Sequence, residues 1–305
     1  MWKGCWMRAL QFTAYGGPEV LEWADAPAPH AGRGQIRVAV RAASVNPIDW
    51  MTFTGALSGG QPMAGTGYLG YDAAGVDEVG EEVAGVSAGD EVLGRGQNTQ
   101  AECAVLDSWA AKPPSIDWAV AAAAGVAGET SERGLRLLGV KPGDIIFVDG
   151  GAGGVGAAAV QMAVAAGATV IASSSEANHD YLREIGATPV LYGQGAAARV
   201  RAAAGGPVDA VFDVAGKTPV EDLISLAPEA SQVVTIANFA AVQAGARVTG
   251  GGADSHPMQA LAQVAELLAQ NKLVIKVQTF PFDRAADAYR ISQGGHVRGK
   301  LVLIP

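Results

Sequence analysis

A glycine-rich turn between two strand-like runs constrains this chain most. The apolar run Ile145–Val148 leads into Gly151-Ala152-Gly153-Gly154-Val155-Gly156, and an alanine-rich stretch and a second apolar run, Thr169–Ala172, follow. This order brings the N–H groups of a helix N-terminus to a pyrophosphate. The pattern Gly-x-Gly-x-x-Gly alone is a weak signal in a chain with 41 glycines. Between a strand and a helix, it predicts a βαβ unit that binds a dinucleotide.

Each glycine of this turn has an expected role. Gly151 makes the turn off the strand, Gly153 lets the backbone approach the pyrophosphate, and Gly156 lets the helix pack closely on the sheet. The uncharged stretch 151–175 is long enough for a membrane span. Because Gly167 interrupts it, we interpret the stretch as a buried βαβ segment.

The end of the second strand selects the cofactor. An NAD site carries Asp or Glu there, which accepts a hydrogen bond from the ribose 2′-hydroxyl. This chain has Ser173, Ser174 and Ser175, and Glu176 comes two or three positions too late. Hydroxyl groups would donate to a 2′-phosphate, so the run favours NADPH over NADH. The alternative is that the serines cap a helix that begins near Ala177.

Composition and charge limit the possible partners. The 305 residues are 49% hydrophobic and 17% charged, which excludes a disordered chain and leaves room for two domains. The net charge of −9 argues against nucleic acid and anionic membranes. Cys5 and Cys103 are too few for a disulfide framework or a four-cysteine zinc site. No apolar segment follows Lys3, so we expect no signal peptide and a cytoplasmic location.

Hydrophobic patterning divides the chain into two kinds of structure. Residues 1–116 carry short strand-like runs such as Gln35–Ala42, which predict a small β-barrel-like domain. Residues 117–255 alternate helical stretches with apolar runs, which predicts a doubly wound parallel sheet. Residues 256–305 begin with a helical pattern, and their strand-like runs are predicted to return to the first domain.

Six segments together carry the motifs of one family. They are Tyr15-Gly-Gly-Pro-Glu-Val-Leu-Glu22, Ala43-Ser-Val-Asn46-Pro-Ile-Asp49, Leu69-Gly-Tyr71-Asp72-Ala-Ala-Gly75, Val140-Lys-Pro-Gly-Asp144, the turn 151–156 and Arg298-Gly-Lys300-Leu-Val-Leu. With them the chain resembles the medium-chain dehydrogenase/reductase superfamily, in its zinc-free quinone oxidoreductase (zeta-crystallin-like) branch. The resemblance implies an α/β protein with a GroES-like β-barrel catalytic domain, a Rossmann domain and a cleft between them. It also implies a homodimer.

The zinc-dependent relatives bind a catalytic metal at three positions. Those positions fall on Asn46, Tyr71 and near Val126 in this chain. A tetrahedral zinc site needs thiolates, imidazoles or carboxylates that converge. An amide, a phenol and an aliphatic side chain do not supply them, so we expect no metal.

The resemblance also implies three candidates for catalysis. Tyr71 replaces the metal-binding histidine and is expected to donate to a developing oxyanion; its alternative is packing in the interdomain seam. Asn46 is expected to bind the substrate or the nicotinamide ribose; its alternative is an ordinary Asn-Pro turn. Asp49 is either a site residue or a carboxylate that ties two loops.

The same region is expected to form the substrate pocket. Met51 stands where many members of the branch have a tyrosine two residues after the aspartate, and this departure from the branch suggests a more apolar pocket. We expect Trp50, Met51, Phe53 and Met63 to line it together with Tyr71, although Met and aromatic side chains are also typical of a core.

Further cofactor contacts are implied along the second half of the chain. Thr130 resembles a contact on the nicotinamide side, and Tyr192 stands where relatives place an adenosine-side aromatic residue. Asn238 and Phe239 follow a strand where relatives hold the nicotinamide carboxamide. The basic residues of the last loop, which either meet the cofactor phosphate or are solvated surface charges, are Arg298 and Lys300.

These expectations combine into one function. The chain is predicted to be an NADPH-dependent oxidoreductase that transfers hydride to a conjugated acceptor, either an enone C=C bond or a quinone. Without a Lewis acid such as zinc, the acceptor must be activated by its own conjugation. The alternative is an NADPH-binding protein of the same fold with little catalysis and a structural or regulatory role.

Overall fold

The structure of the protein, a computed structural model, describes residues 6–75, 78–295 and 297–305. Cys5 therefore lies outside the described residues. The chain packs into two compact units, each of which is described by itself. The first unit comprises residues up to 126, 257–269 and 275–305, and the second comprises 127–256 and 270–274. The domain boundaries expected after residues 116 and 255 stay a prediction.

The strands and helices of the described residues follow in chain order. The strands are β1 (Trp6–Phe12), β2 (Glu22–Pro27), β3 (Ile36–Ala39), β4 (Ala42–Val45), β5 (Gly67–Tyr68), β6 (Asp72–Ala74), β7 (Glu78–Val79), β8 (Val92–Gln97), β9 (Cys103–Ala111), β10 (Ile145–Asp149), β11 (Thr169–Ser174), β12 (Ala187–Leu191), β13 (Ala210–Asp213), β14 (Val233–Thr235), β15 (Arg247–Val248), β16 (Val277–Pro281) and β17 (Lys300–Ile304). The α-helices are α1 (Pro47–Phe53), α2 (Trp118–Leu138), α3 (Gly154–Ala165), α4 (His179–Glu184), α5 (Ala196–Ala204), α6 (Val220–Leu226), α7 (Pro257–Ala269) and α8 (Ala285–Gln293).

The first unit is built on two sheets. One has the order β16-β17-β4-β6-β8-β9-β3-β7 and the other the order β2-β1-β5. The run Gln35–Ala42, expected as one strand, forms two, because the chain changes partners at residues 40–41. The strand before the break pairs with β9 and β7, and the strand after it pairs with β6 and β17. The two strands thereby extend the sheet in different places.

The last strand joins the first unit, as the hydrophobic pattern predicted. β17 runs antiparallel to β4, with Leu301 opposite Val45 and Leu303 opposite Ala43. All four side chains are buried. The residues between them on both strands are buried as well, so this strand pair is enclosed on both of its faces.

The second unit contains a six-stranded parallel sheet. Its order is β12-β11-β10-β13-β14-β15, the doubly wound Rossmann order, which confirms the predicted fold class. The strand order reverses between β10 and β13, and ligands of such sheets bind at the carboxyl ends of the strands at that point. Within the described chain, none of the helices combines the length and hydropathy needed to span a bilayer.

Candidate active site

The glycine turn follows β10 directly, but its parts differ from the expectation. Gly150 has a φ of +94°, a left-handed conformation that favours glycine, so Gly150 and not Gly151 makes the turn off the strand. A Cβ on Gly151 would lie 2.6 Å from the Cβ of Ala172 on the neighbouring strand. A glycine is therefore required at position 151, because the turn packs closely against the neighbouring strand β11.

The two remaining glycines of the motif differ in how closely other atoms pack around them. A Cβ on Gly156 would lie 2.1 Å from the backbone oxygen of Gly150, so helix α3 packs against the turn. A Cβ on Gly153 would meet its nearest heavy atom only at 3.8 Å. Gly153 is also the N-cap of α3 and provides no side-chain cap. The first N–H groups of α3 have no acceptor within the helix, which makes this end suitable for an anion.

The other residues of the turn are Ala152, Gly154 and Val155. Ala152 is buried, and the other two are half-buried at the start of α3. Their contacts with a cofactor stay predictions.

Ser173 has a structural role that the sequence pattern did not reveal. Its side chain is fully buried, its hydroxyl donates to the carboxylate of Asp149, and its Oγ accepts the N–H of Gly150 at 2.9 Å. The expectation that Ser173 donates to a 2′-phosphate is thereby corrected, because its hydroxyl hydrogen already has an acceptor inside the protein. Ser173 holds the start of the glycine turn.

The next two serines differ from Ser173. Ser174 is buried, and its hydroxyl donates to the backbone oxygen of Ser175 at 3.0 Å. Ser175 is half-buried, and its Oγ accepts from the side-chain amide of Asn178 at 3.3 Å. Ser175 precedes the short 3-10 helix Glu176–Asn178 but makes no side-chain cap bond there. Because the Ser175 Oγ is the acceptor in its bond with Asn178, the hydroxyl can still donate to a ligand.

Two buried carboxylates lie at the switch point of this sheet, and sequence reasoning missed both. Asp149 ends β10 directly opposite Asp213, which ends β13, and both are fully buried. Burial raises the pKa of Asp149; the hydrogen bond from Ser173 acts against this rise, and the charge of Asp213 adds to it. Aspartates at the ends of two apolar strand runs were the available signal.

Asp213 organises the loops that follow two strands. Its carboxylate accepts the N–H of Gly216 at 2.8 Å and the hydroxyl of Thr235 at 2.8 Å. The Thr235 oxygen in turn accepts the N–H groups of Ala237 and Asn238 at 3.1 and 3.0 Å. The network therefore shapes the loop in which nicotinamide contacts are expected.

The remaining candidates of the second unit have varied exposure. Phe239 is 68% exposed, so its ring is open to a ligand. Thr130 is buried, and its Oγ1 accepts from the guanidinium of Arg133 at 3.3 Å. The cofactor contacts of Thr130, Tyr192, Asn238 and Phe239 stay predictions.

In the first unit, the side chain of Asn46 is bound by protein groups. Asn46 is 3% exposed, its Oδ1 accepts from the ammonium of Lys300 at 2.5 Å, and its Nδ2 donates to Asp72 at 3.2 Å. Its backbone N–H donates to Asp49, which caps the first turn of α1. Asn46 is thus a structural residue at this helix start, and a substrate or ribose contact of its amide has no support in this geometry.

Asp49 ties two loops, which is the structural alternative stated above. It is fully buried, and it accepts the N–H groups of Asn46 at 2.7 Å and Gly70 at 3.1 Å and the side-chain amide of Gln100 at 3.4 Å. Burial raises the pKa of Asp49 to about 7, although its backbone hydrogen bonds lower it. The full burial corrects the expectation that Asp49 is a catalytic residue.

Asp72 is a further residue that sequence reasoning missed. It follows Tyr71 directly, is fully buried, and accepts the Ser44 hydroxyl at 2.6 Å, the Asn46 amide at 3.2 Å and the backbone N–H of Val126 at 2.9 Å. The Asp72 carboxylate thus connects two of the three positions at which the resemblance places zinc ligands in other members, Asn46 and Val126, and it directly follows the third position in the chain. The motif at residues 69–75 already contained it, but only its tyrosine had been singled out.

Lys300 is the cation of this network. It is 6% exposed, and its ammonium donates to the backbone oxygen of Val45 at 3.2 Å as well as to Asn46. Burial lowers the pKa of Lys300, and the charges of Asp72 and Asp49 act against this effect. The structure therefore corrects both expectations for Lys300, a cofactor phosphate contact and a solvated surface charge. Arg298 is exposed, and its role stays a prediction.

The expected pocket residues separate into two groups. Phe53 is fully buried in the core, where its ring packs edge to face on Tyr289 with centroids 5.1 Å apart. This placement corrects its expected position in the substrate pocket. The half-buried residues, for which the pocket stays a prediction, are Trp50, Met51, Met63 and Tyr71.

Two family models match the chain. The alcohol dehydrogenase GroES-like domain matches residues 32–205, which is more than half of the chain, and the zinc-binding dehydrogenase model matches residues 185–303. A chloroplast envelope quinone oxidoreductase homolog from Arabidopsis thaliana is 30% identical over 98% of both chains. The protein is a medium-chain dehydrogenase/reductase. Within this superfamily it belongs to the quinone oxidoreductase-like branch, and it is an oxidoreductase.

NADPH is named for two further proteins to which the chain is similar. An NADPH-dependent alkenal/one oxidoreductase from Arabidopsis thaliana is 29% identical over 98% of this medium-chain dehydrogenase/reductase and 80% of its own chain. The structure of a mycobacterial protein complexed with NADPH matches with a TM-score of 0.84, at 26% identity, over 98% of this chain and the whole of the other. Similarity over nearly the whole chain confirms the fold.

Proposed function

We propose that this oxidoreductase uses NADPH to reduce a conjugated acceptor, an enone C=C bond or a quinone, and that it does so without zinc. The observation that carries the proposal is the glycine turn, which is packed closely at Gly151 and Gly156 and open at Gly153. The NADPH-dependent relative and the NADPH complex support the choice of cofactor.

The residues of the second unit fit a dinucleotide. The open backbone at Gly153 and the first N–H groups of α3 would hold the pyrophosphate. Ser175 at the end of β11 would face the 2′-substituent, and no acidic side chain stands at that strand end. The loop shaped by Thr235 would hold the nicotinamide side, and NADPH bound there would supply a hydride.

A catalytic zinc ion does not fit the corresponding positions. The amide oxygen of Asn46 accepts a hydrogen bond from Lys300, and its nitrogen donates to Asp72. Val126 offers no side-chain donor atom, and Tyr71 offers only a phenol. Among the described residues, no group of three or more His, Cys, Asp or Glu side chains is placed to hold a metal ion. The proposed chemistry therefore contains no metal step.

The type of hydride acceptor follows from a reaction that contains no metal step. Hydride addition to carbon of an enone or quinone leaves negative charge on oxygen, and a hydrogen-bond donor at that oxygen stabilises the charge. The hydroxyl of half-buried Tyr71 is our candidate for this donor, and the network at Asp72 and Asp49 holds the backbone on both sides of Tyr71. Asn46 contributes by fixing this network.

The test is a substrate comparison with one matched pair. NADPH consumption is measured with 2-cyclohexenone and with cyclohexanone, which lacks the conjugated C=C bond, and with a small benzoquinone. NADP+ reduction is measured with a primary alcohol. We expect turnover with the enone or the quinone, and none with cyclohexanone or the alcohol. Oxidation of the alcohol, or activity that a chelator removes and zinc restores, would overturn the proposal.

We also propose that the protein is a homodimer, as is usual for the family. Strand β15 is the last strand of the parallel sheet and pairs only with β14 among the described residues. Such an edge can continue into a second copy. Sedimentation equilibrium at micromolar concentration should give twice the chain mass of 30.9 kDa. A mass of one chain would contradict this.

A further inference from the structure

A lysine and a tyrosine from the loops that follow two separated strands lie side by side at the carboxyl ends of the parallel sheet. Tyr192 follows β12 and Lys217 follows β13, and the Lys217 ammonium lies 5.7 Å from the centre of the tyrosine ring. Strands β11 and β10 lie between them in the sheet. At the usual strand spacing, β12 and β13 are about 14 Å apart. The two residues therefore bridge the ends of the strands that carry the serine run and the glycine turn.

The position of Tyr192 is fixed on its own side. Its backbone N–H donates to the backbone oxygen of Ser174 at 3.2 Å. The guanidinium of Arg199 donates to the backbone oxygens of Leu191 at 2.9 Å and Gln194 at 3.0 Å, which holds the loop around Tyr192. The backbone of Tyr192 is thus held next to the end of β11, and the Lys217 ammonium lies beside its ring. This strand end is where a Rossmann sheet meets the 2′-position of the adenosine ribose.

The strand end itself lacks the charge that a 2′-phosphate requires. The hydroxyl of Ser173 donates to Asp149, and Ser175 is neutral. A phosphate is bound strongly by charge-assisted hydrogen bonds from Lys or Arg. Lys217 is exposed, and among the described residues no carboxylate forms an ion pair with its ammonium. The ammonium lies over the face of the Tyr192 ring, a weak attraction at an exposed site, which leaves it available to an anion.

We propose that Lys217 binds the 2′-phosphate of NADPH, beside the ring of Tyr192, and so determines the preference for NADPH over NADH. The inference rests on the proposed function, because it deepens the choice of cofactor. It assigns the specificity to a residue from the loop after β13, outside the serine run that the sequence pattern favoured.

The test compares Lys217→Ala with Lys272→Ala, which removes the same charge from another exposed position of the second unit. Titration of protein fluorescence gives the Kd of each variant for NADPH and for NADH at one ionic strength. We expect Lys217→Ala to raise the Kd for NADPH about tenfold or more and to leave that for NADH within about twofold. Lys272→Ala should change neither, and Lys217→Arg should keep most of the preference.

The possible failures are distinguishable. If wild type prefers NADPH and Lys217→Ala binds it equally well, the inference is wrong and the proposed cofactor stands. An equal loss for NADPH and NADH would assign Lys217 to the pyrophosphate or the adenine and would also overturn the inference. If wild type binds NADH as tightly as NADPH, the proposed cofactor preference itself fails. Binding of adenosine 2′,5′-bisphosphate, weakened in Lys217→Ala, would support the assignment without the nicotinamide half.

Discussion

Lys300 donates from its ammonium nitrogen to the side-chain oxygen of Asn46 across 2.5 Å, and both residues are buried. The other end of the same amide donates to Asp72, so the amide links a buried cation to a buried carboxylate. Buried charges are tolerated when they are paired and fully hydrogen-bonded. The geometry of the candidate site therefore depends on the pairing of the buried Lys300 cation with the buried Asp72 carboxylate through the Asn46 amide.

Replacement of Lys300 should therefore destabilise the protein. In Lys300→Met, Asp72 and Asp49 would stay buried without their cation, and we expect the free energy of unfolding to fall by about 3 kcal/mol. Lys272→Met is the matched control, because Lys272 is exposed, and it should change stability by less than about 0.5 kcal/mol. Urea denaturation measures both variants. Equal stability of the two would show that the network does not need the ammonium.

Protonation of Asp49 should make stability depend on pH. Its pKa is raised from 3.8 to about 7 on folding, so the folded state binds more protons than the unfolded state between these values. The corresponding stability is present below about pH 4 and is lost as pH rises through about 7. The Asp49→Asn variant lacks this titration. The stability difference between wild type and the variant should therefore shrink by at least about 1 kcal/mol from pH 5 to pH 7.5, as measured by denaturation at each pH. A constant difference would contradict the raised pKa.

Two substitutions in the glycine turn should separate folding from binding. Gly153→Ala places its methyl group no closer than 3.8 Å to another heavy atom, so stability should stay nearly unchanged while the Kd for NADPH rises about tenfold or more. Gly156→Ala places its methyl group 2.1 Å from the oxygen of Gly150 and should cost about 3 kcal/mol of stability. Thermal unfolding and a fluorescence titration check the pair. Unchanged NADPH binding in Gly153→Ala would remove this turn from the cofactor site.

Removal of the Tyr71 hydroxyl should affect the chemical step. We expect Tyr71→Phe to lower kcat with an enone about tenfold or more, because the developing oxyanion loses a donor. The Kd for NADPH and the free energy of unfolding should stay as in wild type. Steady-state kinetics and a binding titration measure these quantities. An unchanged kcat would show that another group stabilises the oxygen.

The parallel sheet was predictable because each of its strands, with one exception, is a short apolar run between helical stretches. The exception is β15, which has two residues and begins with Arg247, so no hydrophobic pattern marks it. The run Gln35–Ala42 alternates like one strand, yet the chain changes sheet partners within it. Alternation reports which face is buried, and it does not report which strand lies alongside.

The site residues were predictable where a sequence motif determines the backbone geometry. They were less predictable where a side chain bonds to a residue that is far away in the sequence. The glycine turn was found, although Gly150 takes the turn that was assigned to Gly151. The partners of Ser173 and Lys300 lie 24 and 254 residues away in the chain. Sequence spacing gives no signal for such pairs, so both residues were assigned to a ligand.

The position of β17 also has a consequence for protein synthesis. Residues 300–304 follow the whole of the second unit in the chain, yet they complete the sheet of the first unit and bring in the Lys300 ammonium. Domains generally fold as units during translation. On the ribosome, the second unit can therefore fold while the first unit still lacks β17. Until Lys300 is in place, the carboxylates of Asp49 and Asp72 lack their buried cation and must stay hydrated. The first unit therefore begins before the second unit in the chain but completes its folding after it.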